Sequence, residues 1–247
     1  MKQQVEVRDL HQIEYGRAWE LQEQLMQENL HYKKKGRDEG TPVSDIPTRH
    51  HLLFCEHPPV YTLGKSGKME HVLLSAEEIS ARGIGFYPTN RGGDITFHGP
   101  GQVVGYPILD LEKWYTDIGL YLRNLEEVII RVLAEYGLTA GRSAGETGVW
   151  LDVGNPGRAR KICAMGVRCS RWVTMHGFAL NVNTDLGFFD HIVPCGIRDK
   201  AVTSLEKELG YPVPLETVKA KISHFFSEVF QCEMQGQESA GFPGQPV

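Results

Sequence analysis

The chain has 247 residues, long enough for one large domain or two small ones with a real core. At 41% hydrophobic and 23% charged its composition is globular, which excludes disordered and fibrous classes. A formal charge of -5 argues against bulk attraction to nucleic acid or anionic membrane, although Lys33-Lys34-Lys35 and the group Arg168, Arg171, Arg198 and Lys200 leave room for a local basic patch.

No stretch approaches a membrane span, and Met1 to Val7 has no apolar signal-peptide core. The five cysteines (Cys55, Cys163, Cys169, Cys195 and Cys232) are scattered and contain no C-x-x-C pair. Neither a zinc knuckle nor a disulfide framework is indicated. The expectation is a reduced, cytoplasmic protein of enzyme size, binding neither nucleic acid nor membrane.

Taken in chain order, Tyr15 to about Tyr32 reads as an amphipathic helix carrying Trp19, Leu21, Leu25 and Met26. Lys33 to Arg49 is polar and interrupted by Gly36, Gly40, Pro42 and Pro47, which predicts a flexible surface loop. His50 to Phe54 and Val60 to Leu63 flank a Pro58-Pro59 break and read as strands. Ser75-Ala76-Glu77-Glu78 is a capping box, and Gly83 stops the short helix it opens. Arg91 to Leu111 predicts an irregular Gly-rich front half, then a strand from Val103 to Leu109.

Ile118, Leu122, Leu125, Ile129, Val132, Leu133 and Tyr136 share one face of a long helix ended by Gly137. Gly148 to Val153, Lys161 to Cys169 and Phe178 to Val182 alternate with turns, as antiparallel strands do. Thr203-Ser204-Leu205-Glu206 caps a short helix, and Val218, Ile222, Phe225, Phe226 and Val229 mark the last one. From Gln235 the chain is rich in Gly, Gln, Ser and Pro. The predicted organisation is one α/β (α+β) domain over residues 1–234, a mixed sheet flanked by helices, with a disordered tail over 235–247.

Three features carry chemistry. Pro194-Cys195-Gly196 sets a thiol between a residue of locked φ and one of free φ, which suits a fixed, accessible nucleophile. The preceding apolar run equally suits a buried strand with an inert thiol. Arg91-Gly92-Gly93-Asp94-Ile95-Thr96-Phe97-His98-Gly99-Pro100-Gly101-Gln102 is dense enough in glycine to wrap a ligand with backbone amides, yet it matches no phosphate-binding motif. A plain Gly-rich hairpin is the alternative. Lys161 opens an apolar strand, either as a solvated strand end or as an ammonium reaching a site beside a thiol. In the second case it would lower a cysteine pKa from about 8.5 towards neutrality.

Five blocks together resemble the octanoyltransferases of lipoate biosynthesis, the lipoate-protein ligase B family. They are Tyr15-x-x-x-Trp19-x-x-Gln22, Glu56 through Gly64, Arg91 through Gln102, Lys161 through Val167, and Met175-His176-Gly177-Phe178-Ala179-Leu180-Asn181 leading to Pro194-Cys195-Gly196-Ile197. The similarity runs roughly from Tyr15 to Leu205. It implies a fold like the catalytic domain of biotin and lipoate protein ligases. It also implies that Cys195 is the acyl-thioester nucleophile and that Lys161 tunes its pKa. The acyl chain would lie against Arg91, Gly92, Gly93, Asp94, Ile95, Thr96, Phe97 and His98, against Ala164, Met165 and Gly166, and against Gly177, Phe178 and Ala179.

The implied donor is octanoyl-acyl carrier protein, with the acyl group on its phosphopantetheine. The implied acceptors are lipoyl domains of 2-oxoacid dehydrogenase complexes and the glycine cleavage H protein. A monomer needing neither ATP nor metal is expected. Gly92, Gly93, Gly166 and Gly177 are expected to leave room for the chain, and Arg168, Arg171 and Arg198 to form a basic surface around the site. Cys163 stands where many relatives have Ala, which would add a second thiol near the site. The 33–49 loop looks long, and the tail past Cys232 is unmatched. The rivals are an ATP-dependent lipoate or biotin ligase, a cysteine hydrolase using His98 or His176, and a non-catalytic acyl-carrier binding module.

Overall fold

The computed structural model describes residues 2–155, 157–193 and 201–236. Its main sheet is mixed and runs β12 (Glu233–Gly236), β1 (Gln4–Gln12), β2 (His50–Glu56), β6 (Gln102–Ile108), β10 (Val173–Asn181), β9 (Arg160–Ser170), β8 (Val149–Leu151) and β7 (Ala140–Gly141). A further strand, β11 (Ala201–Val202), pairs parallel with the start of β9. A small second sheet has the order β4 (Gly85–Pro88), β3 (Val60–Leu63), β5 (Ile95–His98). The α-helices of the described residues are α1 (Tyr15–Asp38), α2 (Ala76–Ala81), α3 (Ile118–Ala134), α4 (Leu205–Leu209) and α5 (Leu215–Val229).

The central strands are apolar on both faces because helices cover both faces. Along β2, Leu52 and Phe54 enter the core shared with α3 and α5, whereas Leu53 and Cys55 enter the core shared with α1. β6 divides Val103 and Val104 in the same way. Continuous apolar runs are what strands buried on two sides require. The second sheet has its own small core, in which Tyr61, Ile95 and Phe97 pack with Phe189 and Ile192.

Four elements differ from expectation. α1 continues to Asp38, through the first part of the predicted loop. Its buried stripe turns polar without stopping: Asn29, Lys33 and Gly36 follow Gln22, Leu25 and Met26 at helical spacing. Asn29 exchanges two hydrogen bonds with the Arg49 backbone, at 2.7 and 2.8 Å. Lys33 is buried in an ion pair with Asp110 and lies 2.9 Å from Glu112, so it belongs to no basic patch. Asn29 and Lys33 are tolerated inside because each has a partner.

The Gly-rich front half contains a strand after all: β5 pairs antiparallel with β3, Ile95 opposite Leu63 and His98 opposite Val60. β1, which has no apolar run, lies between β12 and β2 and pairs parallel with both. Sheet pairing also extends past residue 234, because Gln235 and Gly236 belong to β12. The rest of the predicted tail, 237–247, lies outside the described residues, as does 194–200 with Cys195 and Arg198. No helix among the described residues is long and apolar enough to cross a membrane.

Candidate active site

A cavity of about 560 Å³ opens where β6, β9 and β10 meet the Gly-rich segment. Arg91, Gly92, Gly93, Asp94, Ile95, Thr96, His98, Lys161, Ala164, Met165, Gly166, Gly177, Phe178 and Ala179 all line it. Its size is in the range of small-ligand pockets. Phe97 is the exception among the predicted lining residues. Alternation along β5 turns it into the small second core, where its ring stacks on Phe188 at 4.5 Å. Tyr15, Gln102, Tyr106, Ile118, Leu122, Glu146, Thr147, His176 and Asn181 also line the cavity, beyond the acyl-binding residues the sequence singles out. Tyr15, Gln102, His176 and Asn181 fall in the motif blocks and Ile118 and Leu122 on the predicted α3 face, whereas Glu146 and Thr147 carry no such signal in the sequence.

A chain of hydrogen bonds ties the Gly-rich segment to Lys161. Arg91 Nη2 donates to the Thr62 carbonyl (2.6 Å) and hydroxyl (2.9 Å). His98 lies 3.3 Å from that hydroxyl through Nε2 and 2.8 Å from Gln102 Oε1 through Nδ1. Gln102 Nε2 donates to Asn181 Oδ1 at 2.9 Å, and Asn181 Nδ2 donates to the Thr203 carbonyl at 3.0 Å. The Thr203 amide in turn donates to the Lys161 carbonyl at 2.9 Å. Burial pushes the His98 imidazole well below its usual range, so it is neutral and donates from Nδ1 to the Gln102 oxygen.

His176 is held in the cavity by Gln22 of α1 and by Asn90. Pro107 on β6 has no N–H for β10, and its carbonyl accepts from the Thr174 hydroxyl at 2.9 Å. On β10, two residues after Thr174, His176 adopts φ of 58°, a left-handed conformation rare for a non-glycine residue. Its amide donates to Gln22 Oε1 of α1 at 2.9 Å, and its Nε2 lies 2.7 Å from Asn90 Oδ1. Burial first, then Arg91 and Arg168, push its pKa down to about 3. Tyr15, Trp19 and Gln22 therefore form one face of α1 for one reason: Tyr15 lines the cavity, and Trp19 and Gln22 hold His176.

Lys161 lines the cavity next to an irregularity in β9. Val149 pairs with Cys163 but Trp150 pairs with Lys161, so one extra residue of β9 lies between. Such a bulge resets the alternation of a strand. Lys161 joins Ala164 and Gly166 in the lining, and its Nζ stands 4.7 Å from the centre of the Trp150 ring. Cys163 is instead fully buried in the main core, and burial pushes its thiol far above the usual range. It is a core thiol and not a second thiol of the site.

The segments on either side of 194–200 are both tied down. Before it, Val193 N–H donates to the His71 carbonyl (2.8 Å) and Leu73 N–H to the His191 carbonyl (2.9 Å). His71 Nδ1 in turn lies 2.6 Å from Asp94 Oδ2 in the Gly-rich segment. After it, β11 sets Val202 opposite Lys161.

One expectation about the surroundings needs correction. Gly166 and Gly177 do not leave room for a ligand. A Cβ on Gly166 would lie 2.6 Å from the Gly92 carbonyl oxygen, and one on Gly177 2.1 Å from the Gly105 carbonyl oxygen. Their small size admits a neighbouring backbone. Arg168 follows Val167 of the cavity lining on β9, Arg171 lies just past the end of that strand, and Arg198 lies outside the described residues. Arg168 is paired with Glu23 at 2.8 Å. Among the described residues no group of three or more His, Cys, Asp or Glu is placed to hold a metal ion.

Comparison with known proteins agrees with this geometry. The model of the lipoyl protein ligase A/B catalytic domain matches residues 14–227. The octanoyltransferase of Christiangramia forsetii is 60% identical over 238 residues, covering 96% of this chain and 100% of the relative. That of Flavobacterium johnsoniae is 59% identical over 235 residues, covering 95% and 100%. Among solved structures, the bipartite lipoate protein ligase of Thermoplasma acidophilum matches with a TM-score of 0.61 at 17% identity, covering 96% of this chain and 87% of that one. A lipoate-protein ligase A bound with ATP matches with 0.61 at 16%, covering 96% and 89%. At such identities the ligases share the fold alone. The mixed sheet and its flanking helices are thus those of a lipoyl-ligase-type catalytic domain, and the chain belongs to the lipoyl protein ligase A/B catalytic-domain family. Within that family it groups with the octanoyltransferases, which makes it an acyltransferase.

Proposed function

We propose that the chain moves an octanoyl group from the phosphopantetheine thioester of an acyl carrier protein to the ε-amine of a lysine on a lipoyl domain. The acyl group would pass through a thioester on Cys195, with Lys161 as its partner. The observation that carries this reading is the pairing of β11 with β9. It returns the chain to Lys161 seven residues after Cys195, at Val202 opposite Lys161, and supports bringing together two residues 34 apart in sequence.

The steps follow from the chemistry of thioesters. The Lys161 ammonium favours the Cys195 thiolate, which attacks the donor carbonyl and expels the phosphopantetheine thiolate. Donor and acyl-enzyme are both thioesters, so this step is nearly isoenergetic. The acceptor amine then attacks the Cys195 thioester and leaves as an amide, while the Cys195 sulfur departs as thiolate. An amide is much more stable than a thioester, so the direction needs neither nucleotide nor metal. The amine must lose a proton to attack, and Lys161, having lost its own to the first leaving group, is the base. Burying the acyl tail among Val104, Met165, Phe178 and Ala179 would contribute about 5 kcal/mol, at roughly 0.8 per methylene.

A hydrolase driven by His98 is disfavoured because both ring nitrogens are engaged, one by Thr62 and one by Gln102. The expected acceptors are lipoyl domains of 2-oxoacid dehydrogenase complexes and the glycine cleavage H protein. Intact mass after incubation with octanoyl-acyl carrier protein, without ATP, should show one octanoyl adduct. It should vanish in Cys195→Ser and be discharged by an apo lipoyl domain. No adduct under any condition would sink the covalent route, and transfer that required ATP would favour the ligase reading.

A further inference from the structure

The floor beneath the Lys161 side chain is Gly148, and Gly148 is held by a buried carboxylate on α3. Gly148 has φ of 122°, and a Cβ there would lie 3.5 Å from Lys161 Cε and 3.6 Å from Cδ, besides meeting the Cys163 carbonyl oxygen at 2.6 Å. The lysine stem therefore crosses the bare Cα of Gly148 before its ammonium reaches the Trp150 ring. The Gly148 amide donates to Glu126 Oε1 at 2.9 Å. Glu126 is 0% exposed, and it also meets Arg123 Nη2 at 2.8 Å and Arg142 Nε at 3.1 Å. Arg142 further donates to the Arg123 carbonyl (3.0 Å) and to Glu127 (2.8 Å), which ties the start of the 142–148 loop to the same helix.

A buried carboxylate is an expensive way to stabilise a helix face. Taking it out of water is costly, and an apolar residue of similar volume commonly serves stability as well or better. Glu126 makes sense through what it holds. It fixes both ends of a loop whose middle, Gly145 to Thr147, lines the cavity beside Lys161.

We propose that Glu126 is a positioning residue for Lys161: by holding the Gly148 amide it sets the surface along which the lysine stem enters the cavity. This rests on the role given to Lys161 above. Glu126 touches neither donor nor acceptor. Its loss lets the 142–148 loop move, and the ammonium then spends less time at the thiol.

The test is the pH dependence of iodoacetamide alkylation at Cys195, followed peptide by peptide, together with steady-state transfer from octanoyl-acyl carrier protein. Glu126→Ala should raise the alkylation midpoint by about one pH unit and lower kcat roughly tenfold with KM for the donor unchanged. Glu126→Gln, whose amide oxygen still accepts from Gly148, should recover most of both. Arg142→Gln, at a half-buried position, should shift the midpoint in the same direction by less, and it decides the matter if Glu126→Ala does not fold. Lys161→Ala should raise the midpoint too, and adding Glu126→Ala to it should raise it no further. If Lys161→Ala moves the midpoint while Glu126→Ala or, where that variant does not fold, Arg142→Gln leaves it at the parent value, Glu126 is only structural and the inference falls alone. If Lys161→Ala leaves it unmoved, the role of Lys161 falls and the inference with it.

Discussion

Gly166 and Gly177 show how one missing side chain can be read two ways. Glycine beside a ligand cavity suggests space for the ligand, but here the vacant volume is filled by the carbonyls of Gly92 and Gly105. The distinction has kinetic content. Gly166→Ala must push back the Gly92 carbonyl and the Arg91 side chain, whose Cδ would lie 3.3 Å from the new Cβ. It should lower kcat/KM for hexanoyl, octanoyl and decanoyl donors by a common factor of about ten, with the preference among them unchanged. A selective gain for the hexanoyl donor would return Gly166 to the pocket wall. His176 presents the same difficulty. A histidine in an apolar run carries no sign that its backbone is left-handed and that its amide is taken by Gln22 of α1.

Of the helices, α1 is only partly legible in the sequence. Its buried apolar stripe ends at Met26, and what continues the stripe is Asn29, Lys33 and Gly36, residues that elsewhere mark a surface. Lys33 is buried because Asp110, 77 positions along the chain, and Glu112 wait at the sheet end. Breaking such a pair leaves a buried charge uncompensated, so Lys33→Ala should cost about 3–5 kcal/mol in urea unfolding. Lys33→Met combined with Asp110→Asn should restore much of it. A loss below about 1 kcal/mol for the single variant would show that the pair does not anchor the helix end. β5 and β1 escape a pattern reading for related reasons. β5 is four residues among glycines, and β1 is half-exposed with Glu, Arg and Asp among its valines.

The molecule as a whole buries several histidines in the neutral form, and this sets its response to acid. Burial holds His50 at about 3, His57 at about 4 and His176 at about 3, all below the ordinary value near 6.5. The unfolded chain therefore takes up protons that the folded chain refuses between those values and 6.5. Stability is intact above about pH 6.5 and falls as pH drops through that window, by up to about 1.4 kcal/mol per pH unit for each histidine. The midpoint of urea unfolding should decline steeply from about pH 6 to about pH 4.5. His50→Gln, which removes one of these buried neutral histidines, should make the decline shallower. A flat profile over that range would mean that the histidines are solvated.

Elements with a local signal needed no fold to be found. α3, α5 and the apolar strands follow from periodicity and burial, α2 and α4 from their caps, and family membership from short motifs in a fixed order. The Gly-rich segment, and Lys161 with Ala164 to Gly166, could also be singled out, because unusual composition is visible in one dimension. Which of these residues share a space was settled by folding alone. Lys161 lies next to Val202, Gln102 next to Asn181, Glu126 next to Gly148, and Phe97 on the far side of its strand from the cavity. These placements are set by sheet register and a single bulge, and a linear pattern holds no record of register. A one-residue shift moves a side chain to the other face, so the order of residues alone does not say that Lys161 lines the cavity while Cys163 lies in the core.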